Sequence, residues 1–210
     1  MADYRRPVEF GANADPLAAN PRLPLEVARV ADAAGLELVG VQDHPYNRAF
    51  LDTWTLLATL APQTRRVRLF PDVADLPLRP PAMLAKAVAT LDVLGGGRVE
   101  VGLGAGALWD AIRAYGGPVR TPGEAVAALE EAIQVMRLLW QGQRGARFTR
   151  RHYRLEGAGL RPPSGLTRGR GLSQQPKPSP QEPDPAAVDL AHHAGMTAVQ
   201  ADFVALTEGG

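Results

Sequence analysis

LPLRPPAMLAKAVATLDVLGGGRVEVGLGAG, residues 76–106, decides how the rest of the chain is read. The double proline Pro80-Pro81 suits the first turn of a helix, where the donor that proline lacks has no partner anyway. Met83, Leu84, Ala87, Val88, Leu91 and Leu94 then recur at helical spacing and predict the buried face of that helix. Gly95-Gly96-Gly97 ends it. Val99, Val101 and Leu103 alternate along a short strand that runs into Gly104-Ala105-Gly106. Strand, helix and strand in this order form the unit of a parallel α/β fold. Where such a strand stops in a glycine turn, backbone amides can come close to a flat or anionic cofactor.

The alternation extends to both sides. Residues 8–11 read as a first strand, and Pro24 opens a helix whose apolar face carries Leu25, Val27, Val30, Ala31 and Ala34. Leu38-Val39-Gly40-Val41 is a continuous apolar run, as expected of a parallel strand covered on both faces. Asp52 is placed to cap a helix over residues 53–60, and residues 67–70 form the third strand. Beyond Gly106, residues 108–115 are expected to be helical until Gly116-Gly117-Pro118. Thr121-Pro122-Gly123-Glu124 has the spacing of a capping box with proline at the first helical position. The helix it opens presents Val126, Leu129, Ile133, Met136 and Trp140 on one face and ends near Gly142, before a small hairpin over residues 146–155.

Composition bounds the function. The chain has 210 residues, 45% of them hydrophobic, enough for one sizeable core. Twenty-three basic and 22 acidic residues leave a formal net charge of +1, which gives no electrostatic case for nucleic acid or an anionic membrane. The absence of cysteine excludes disulfides, thiolate metal sites and a cysteine nucleophile. No apolar run approaches the roughly 18 residues of a membrane span, and residues 1–16 lack the apolar core of a secretory signal, so a cytoplasmic location is expected. From Arg161 the character changes. Residues 161–185 hold seven of the nineteen prolines and read as a Pro/Gly-rich, disordered linker, with residues 186–210 a short helical segment beyond it. Residues 1–160 are then the folded unit.

Candidate chemistry sits where strands end. The second strand delivers Asp43-His44, an acid beside a group that titrates near neutrality and can orient or protonate a reacting group. The alternative is a capping aspartate beside a histidine packed at the rim. Phe70-Pro71-Asp72-Val73 ends the third strand and reads equally as an ordinary turn rich in Pro and Asp. Arg79 follows it in a position suited to a phosphate. The glycine turn lacks the third glycine and the ribose-binding acid of a dinucleotide fingerprint. His192-His193 point about 100° apart on a helix and suit a shared metal poorly, so no metal site is expected. His152 among Arg150, Arg151 and Arg154 reads as a solvated face.

Together, VGVQDHPY, residues 76–106, GGPVRTPGEAVAALEEAIQVMRLLW and RHYRLEGA resemble the luciferase-like monooxygenase family, whose members use flavin or the deazaflavin coenzyme F420. The resemblance covers residues 7–162 and implies an oxidoreductase or monooxygenase with coenzyme F420 or FMN, acting on a small organic molecule. It implies that His44 lies by the cofactor ring with Asp43 beside it. It also implies that Asp72 and Val73 flank a bulge with a non-proline cis peptide behind the ring. Gly104, Ala105 and Gly106 would approach the cofactor. Ala107 stands where some sugar-phosphate dehydrogenases of the family place a proton-donating acid, which argues against that substrate. A homodimer through helices of this half is implied as well.

The fold class is therefore α/β, of the TIM (β/α)8-barrel family, with about four βα modules and a Pro-rich C-terminal segment. A closed eightfold barrel takes about 250 residues. A partial barrel is expected to leave two strand edges and an apolar inner face open. Two functions follow: a ring-dependent oxidoreductase, or a truncated non-catalytic relative acting as a dimerising or binding fragment.

Overall fold

The computed structural model describes residues 8–160. The proline-rich segment and the C-terminal helical segment, with His192-His193, lie outside them. Five strands run parallel. β1 (Gly11–Asn13) pairs with β2 (Leu38–Val41), and β2 with β3 (Arg68–Pro71). Leu69 bridges Val99 in parallel, and after a break β4 (Ala74–Asp75) pairs with β5 (Leu103–Gly104). Helices α1 (Leu23–Ala34), α2 (Thr53–Leu60) and α3 (Pro81–Leu94) connect successive strands. After β5 come α4 (Trp109–Ala114), α5 (Pro122–Trp140) and the antiparallel hairpin β6 (Ala146–Thr149) with β7 (Arg154–Ala158). The first strand begins three residues later than the sequence implies, since Val8 and Phe10 are exposed.

The core lies between the sheet and its helices. Ala12, Val39 and Leu69 share one register row and turn outward to the helices, fully buried. Two polar clamps fix the strand spacing. Asp32 at the end of α1 accepts the backbone N–H groups of Arg65, Arg66 and Val67, which sets where β3 begins. Arg98, after the glycine run, donates to the carbonyls of Ala61, Val67 and Gly95.

The inner face differs from the apolar surface expected. The register row beneath Asn13 is Gly11, Leu38 and Arg68, and Arg68 is held between Glu9 and Glu100. Above it, the Phe70 ring lies over Gly40, where an added Cβ would come within 2.8 Å of it. Phe70 and Leu38 are buried on a face they share with Gly11, Gly40, Asn13, Asp72 and the Arg68 ion cluster. The large apolar side chains do not stand free there.

The helical faces also differ. On α3 the buried residues are Leu84, Ala85, Val88, Ala89 and Leu91, whereas Met83 and Leu94 are exposed. On α5 they are Ala125, Ala128, Ala132, Val135, Met136 and Leu139, with Trp140. Val126 is exposed, and Leu129 and Ile133 are only half-buried. On α5 the packed stripe starts with alanines, each one residue before Val126, Leu129 and Ile133, and ends in Val135, Leu139 and the expected Met136 and Trp140. On α3 the expected Leu84, Val88 and Leu91 are buried. Small residues let α3 and α5 approach closely, and Trp140 Nε1 donates to the Ala85 carbonyl across them at 3.1 Å. The caps agree with the sequence: Asp52 accepts from Thr55 N–H, and Thr121 and Glu124 form the reciprocal box.

Candidate functional site at the strand ends

The site is built by three strand ends held by one cation. Asp43, directly after β2, has a fully buried side chain. It does not pair with His44. Both its oxygens accept from Arg79, Oδ2 from Nε at 2.8 Å and Oδ1 from Nη2 at 2.7 Å. Oδ2 also takes the Asp75 backbone N–H at 3.1 Å, tying β2 to β4. Arg79 Nη2 reaches Asp52, the α2 cap, at 2.8 Å. Burial works against the guanidinium charge, but the hydrogen bonds and charge of Asp43, then Asp52, outweigh it and raise the Arg79 pKa. Burial would raise the Asp52 carboxyl, yet Arg79 and Thr55 hold it below its ordinary value. Arg79, read as a phosphate contact, is thus held by two carboxylates that fix the loops.

His44 faces the other way and is exposed. Its Nδ1 lies 2.9 Å from the Tyr46 hydroxyl, with Phe50 tilted against the ring at 6.3 Å between centroids. Burial first, then the charges of Asp75 and Asp43, raise the Tyr46 pKa and keep the phenol protonated.

Between β3 and β4 the ladder gains a residue. Leu69 pairs with Val99 and Ala74 with Leu103, so five steps on one strand match four on the other. Asp72 and Val73 occupy this bulge, and the peptide between them is cis. The half-exposed Val73 presses on Gly104, where a Cβ would lie 2.8 Å from its Cγ2. Gly106 has φ of +101°, and a Cβ there would meet Pro77 and Trp109. The glycine turn is thus already closed against its own chain. Trp109 closes the turn.

Asp72 lines a shallow recess on the inner face with Asn13, Gly40 and Phe70. Burial raises its pKa. Asn13 Oδ1 is buried without a partner. The sequence offered Asn13 and Tyr46 no distinguishing pattern, because the register that places them is set by non-local strand pairing. Asp43-His44, Asp72-Val73 and Gly104–Gly106 share the strand-end rim with Arg79. The Arg150, Arg151, His152 and Arg154 group lies on the hairpin, where Glu124 pairs with Arg151 and Glu131 holds the His152 and Tyr153 amides. Among the described residues no His/Asp/Glu group could hold a metal, and no helix is long and apolar enough to cross a membrane.

Comparison with known proteins points one way. The family described as luciferase-like monooxygenase matches residues 7–206. The F420-dependent glucose-6-phosphate dehydrogenase of Nocardia farcinica is 33% identical over 162 residues, 73% of this chain and 47% of that protein. Among solved structures, an F420-dependent secondary alcohol dehydrogenase with an F420-acetone adduct aligns at a TM-score of 0.68 with 26% identity, over 76% of this chain and 50% of that one. A monooxygenase of Streptomyces bottropensis gives 0.62 and 27%, over 74% and 50%. The chain spans about half the length of the curated relatives it matches.

Proposed function

The chain belongs to the luciferase-like monooxygenase family, and from that premise we propose that its strand-end site binds the ring of coenzyme F420 or FMN in an oxidoreductase that acts on a small organic molecule. The relatives' own cofactors support this reading. The site itself adds an exposed histidine, steadied by Tyr46, at the rim that also carries the bulge of Asp72 and Val73.

When bound, such a ring supplies hydride transfer, or in its reduced form oxygen activation. The chain's own residues hold and orient. Val73 and Gly104 would support the ring's flat side, and the Asp43–Arg79–Asp52 bridge fixes the loops around it. His44, exposed and steadied by Tyr46, would hold or move a proton at Nε2. The observation that carries this reading is the separation of Asp43 from His44. A buried, charge-paired aspartate sets the loop, and the exposed histidine is left for the ligand.

Titration with FMN and with coenzyme F420, followed by ring absorbance and fluorescence, tests it. Saturable binding of one ring, weakened at least tenfold in His44→Ala, is expected; no binding of either ring would overturn the reading. A homodimer is proposed through the exposed stripe of Met83, Leu94 and neighbouring Val93 on α3. Leu94→Glu should then convert a dimer to a monomer in sedimentation.

A further inference from the structure

His44, Pro45, Tyr46 and Asn47 form a tight turn directly after Asp43. The Asn47 backbone N–H donates to the His44 carbonyl at 2.9 Å and closes it. Proline at the second position pre-sets the backbone for such a turn. Both ends of the loop are fixed by distant parts of the chain. Asp43 is held by Arg79, and Phe50 bridges Leu17 while its N–H donates to the Asn47 carbonyl at 2.9 Å. The turn brings the Tyr46 side chain back to His44, with ring centroids 5.6 Å apart and the Phe50 ring tilted against the histidine from another side.

The two polar side chains differ in what else they can reach. The Tyr46 hydroxyl belongs to a partly buried residue, and among the described residues its one hydrogen-bond partner is His44 Nδ1. His44 is exposed, so its nitrogens can otherwise turn to water. A phenol is the more acidic donor of the pair and a neutral imidazole nitrogen the more basic acceptor, so the contact is strongest with the hydroxyl donating. A nitrogen that accepts in this way carries no hydrogen, and the hydrogen of a neutral imidazole then sits on the other nitrogen. Asp43, the neighbour expected to orient His44, takes no part because Arg79 holds it.

We propose that Tyr46 is a positioning residue: by donating to Nδ1 it fixes the His44 ring and keeps its hydrogen on Nε2, which makes His44 a hydrogen-bond donor toward an acceptor atom of the bound ring. The ligand in this inference rests on the ring-binding reading above, whereas the contact itself belongs to the ligand-free chain. Without the hydroxyl the imidazole is free to turn and to exchange its hydrogen between nitrogens, and ring binding has to order both.

Two measurements test it, both with Tyr46→Phe, which removes only the hydroxyl. Long-range proton–nitrogen NMR spectra of the ligand-free protein at about pH 8, above the ordinary imidazole range, distinguish the two nitrogens. The His44 signals are those lost in His44→Ala. Nδ1 should appear as an unprotonated, hydrogen-bond-accepting nitrogen, and Tyr46→Phe should move both nitrogens toward the exchange-averaged shifts of a free imidazole. A hydrogen on Nδ1 in the unsubstituted protein, or shifts that Tyr46→Phe leaves in place, overturns the proposal whether or not a ring binds. The second measurement is a double-mutant cycle on FMN and coenzyme F420 affinity. Tyr46→Phe should weaken binding about three- to tenfold, the effect of one hydrogen bond, and by less than about twofold once His44 is alanine. An equal loss in both backgrounds means that the phenol acts on the ring or the loop directly, and overturns the positioning role. No affinity for either ring overturns the ring-binding reading and the ligand assigned to Nε2, while the nitrogen shifts decide the Tyr46–His44 contact separately.

Discussion

Asp43 and His44 are neighbours in sequence that the backbone sends to different environments. Asp43 turns inward, where its charge is balanced by Arg79 in a two-point contact. Removing Asp43 leaves Arg79 with the half-exposed Asp52 alone and the Asp75 amide without its acceptor, at a cost of about 1–3 kcal/mol. Asp43→Ala should lose stability on that scale in urea denaturation. Arg79→Lys should not restore the bridge, since a point charge cannot span both Asp43 and Asp52 as the guanidinium does. The carboxyls carry opposite pH dependences. Asp52 sits below its ordinary value in the fold, so its contribution is complete above the ordinary carboxylate range and is lost as pH falls through the lowered value. Asp72 is raised, so the folded state holds its proton longer, and stability is lost as pH rises from the ordinary value through the raised one. Asp72→Asn should therefore melt higher than the unsubstituted protein at neutral pH, with the difference vanishing in acid. A scan of melting temperature against pH reads this directly.

Among the elements, the helix pair α3 and α5 shows what pattern reading selects and what packing requires. Hydrophobicity alone favours the larger side chains, Met83, Leu94, Val126, Leu129 and Ile133. Close approach of two helices favours alanine, and Ala85, Ala89, Ala128 and Ala132 are buried there beside Leu84, Val88, Met136 and Leu139. Ala128→Leu should overpack this contact and cost about 1–3 kcal/mol. Val126→Ser, exposed on α5, should stay within about 0.5 kcal/mol. Thr121→Ala removes the capping-box acceptor and should cost about 1 kcal/mol. Chemical denaturation of the three variants side by side would rank them. The opposite ranking would mean that the larger side chains, not the alanines, form the contact. Gly40 belongs to the same logic. Its missing Cβ is the space in which the Phe70 ring lies, so Gly40→Ala must displace that ring.

Across the described residues, the parallel strands turn one face outward to the helices and the other inward. The outer face is the core. The inner face is lined by glycine, the Arg68 ion cluster and the Asn13–Asp72 recess, with Phe70 folded down on Gly40. The proposed ring binding would couple to the stability of this assembly. A ligand that binds only the folded chain adds about 2.7 kcal/mol at a hundred times its dissociation constant, so FMN or coenzyme F420 at that excess should raise the melting temperature. Unchanged melting at saturating concentrations of both rings would count against the site.

The sequence by itself determined the order of elements, the caps at Asp52 and Thr121, the glycine breaks, the family, and the strand-end residues 43–44, 72–73 and 104–106 as a group. Those are local features: periodicity, capping spacing and turn chemistry act over a few residues. Only the tertiary structure decided which partner each side chain takes. Asp43 could have met His44 beside it, but a partner 36 residues away in sequence claims it. Asn13 looked like any loop asparagine until strand register placed it beside Asp72. The module at residues 76–106 thus announces the fold through local chemistry. Its Arg79 and Gly104 acquire their roles from strands the chain must first bring together, because pairing across a sheet is a contact between distant residues.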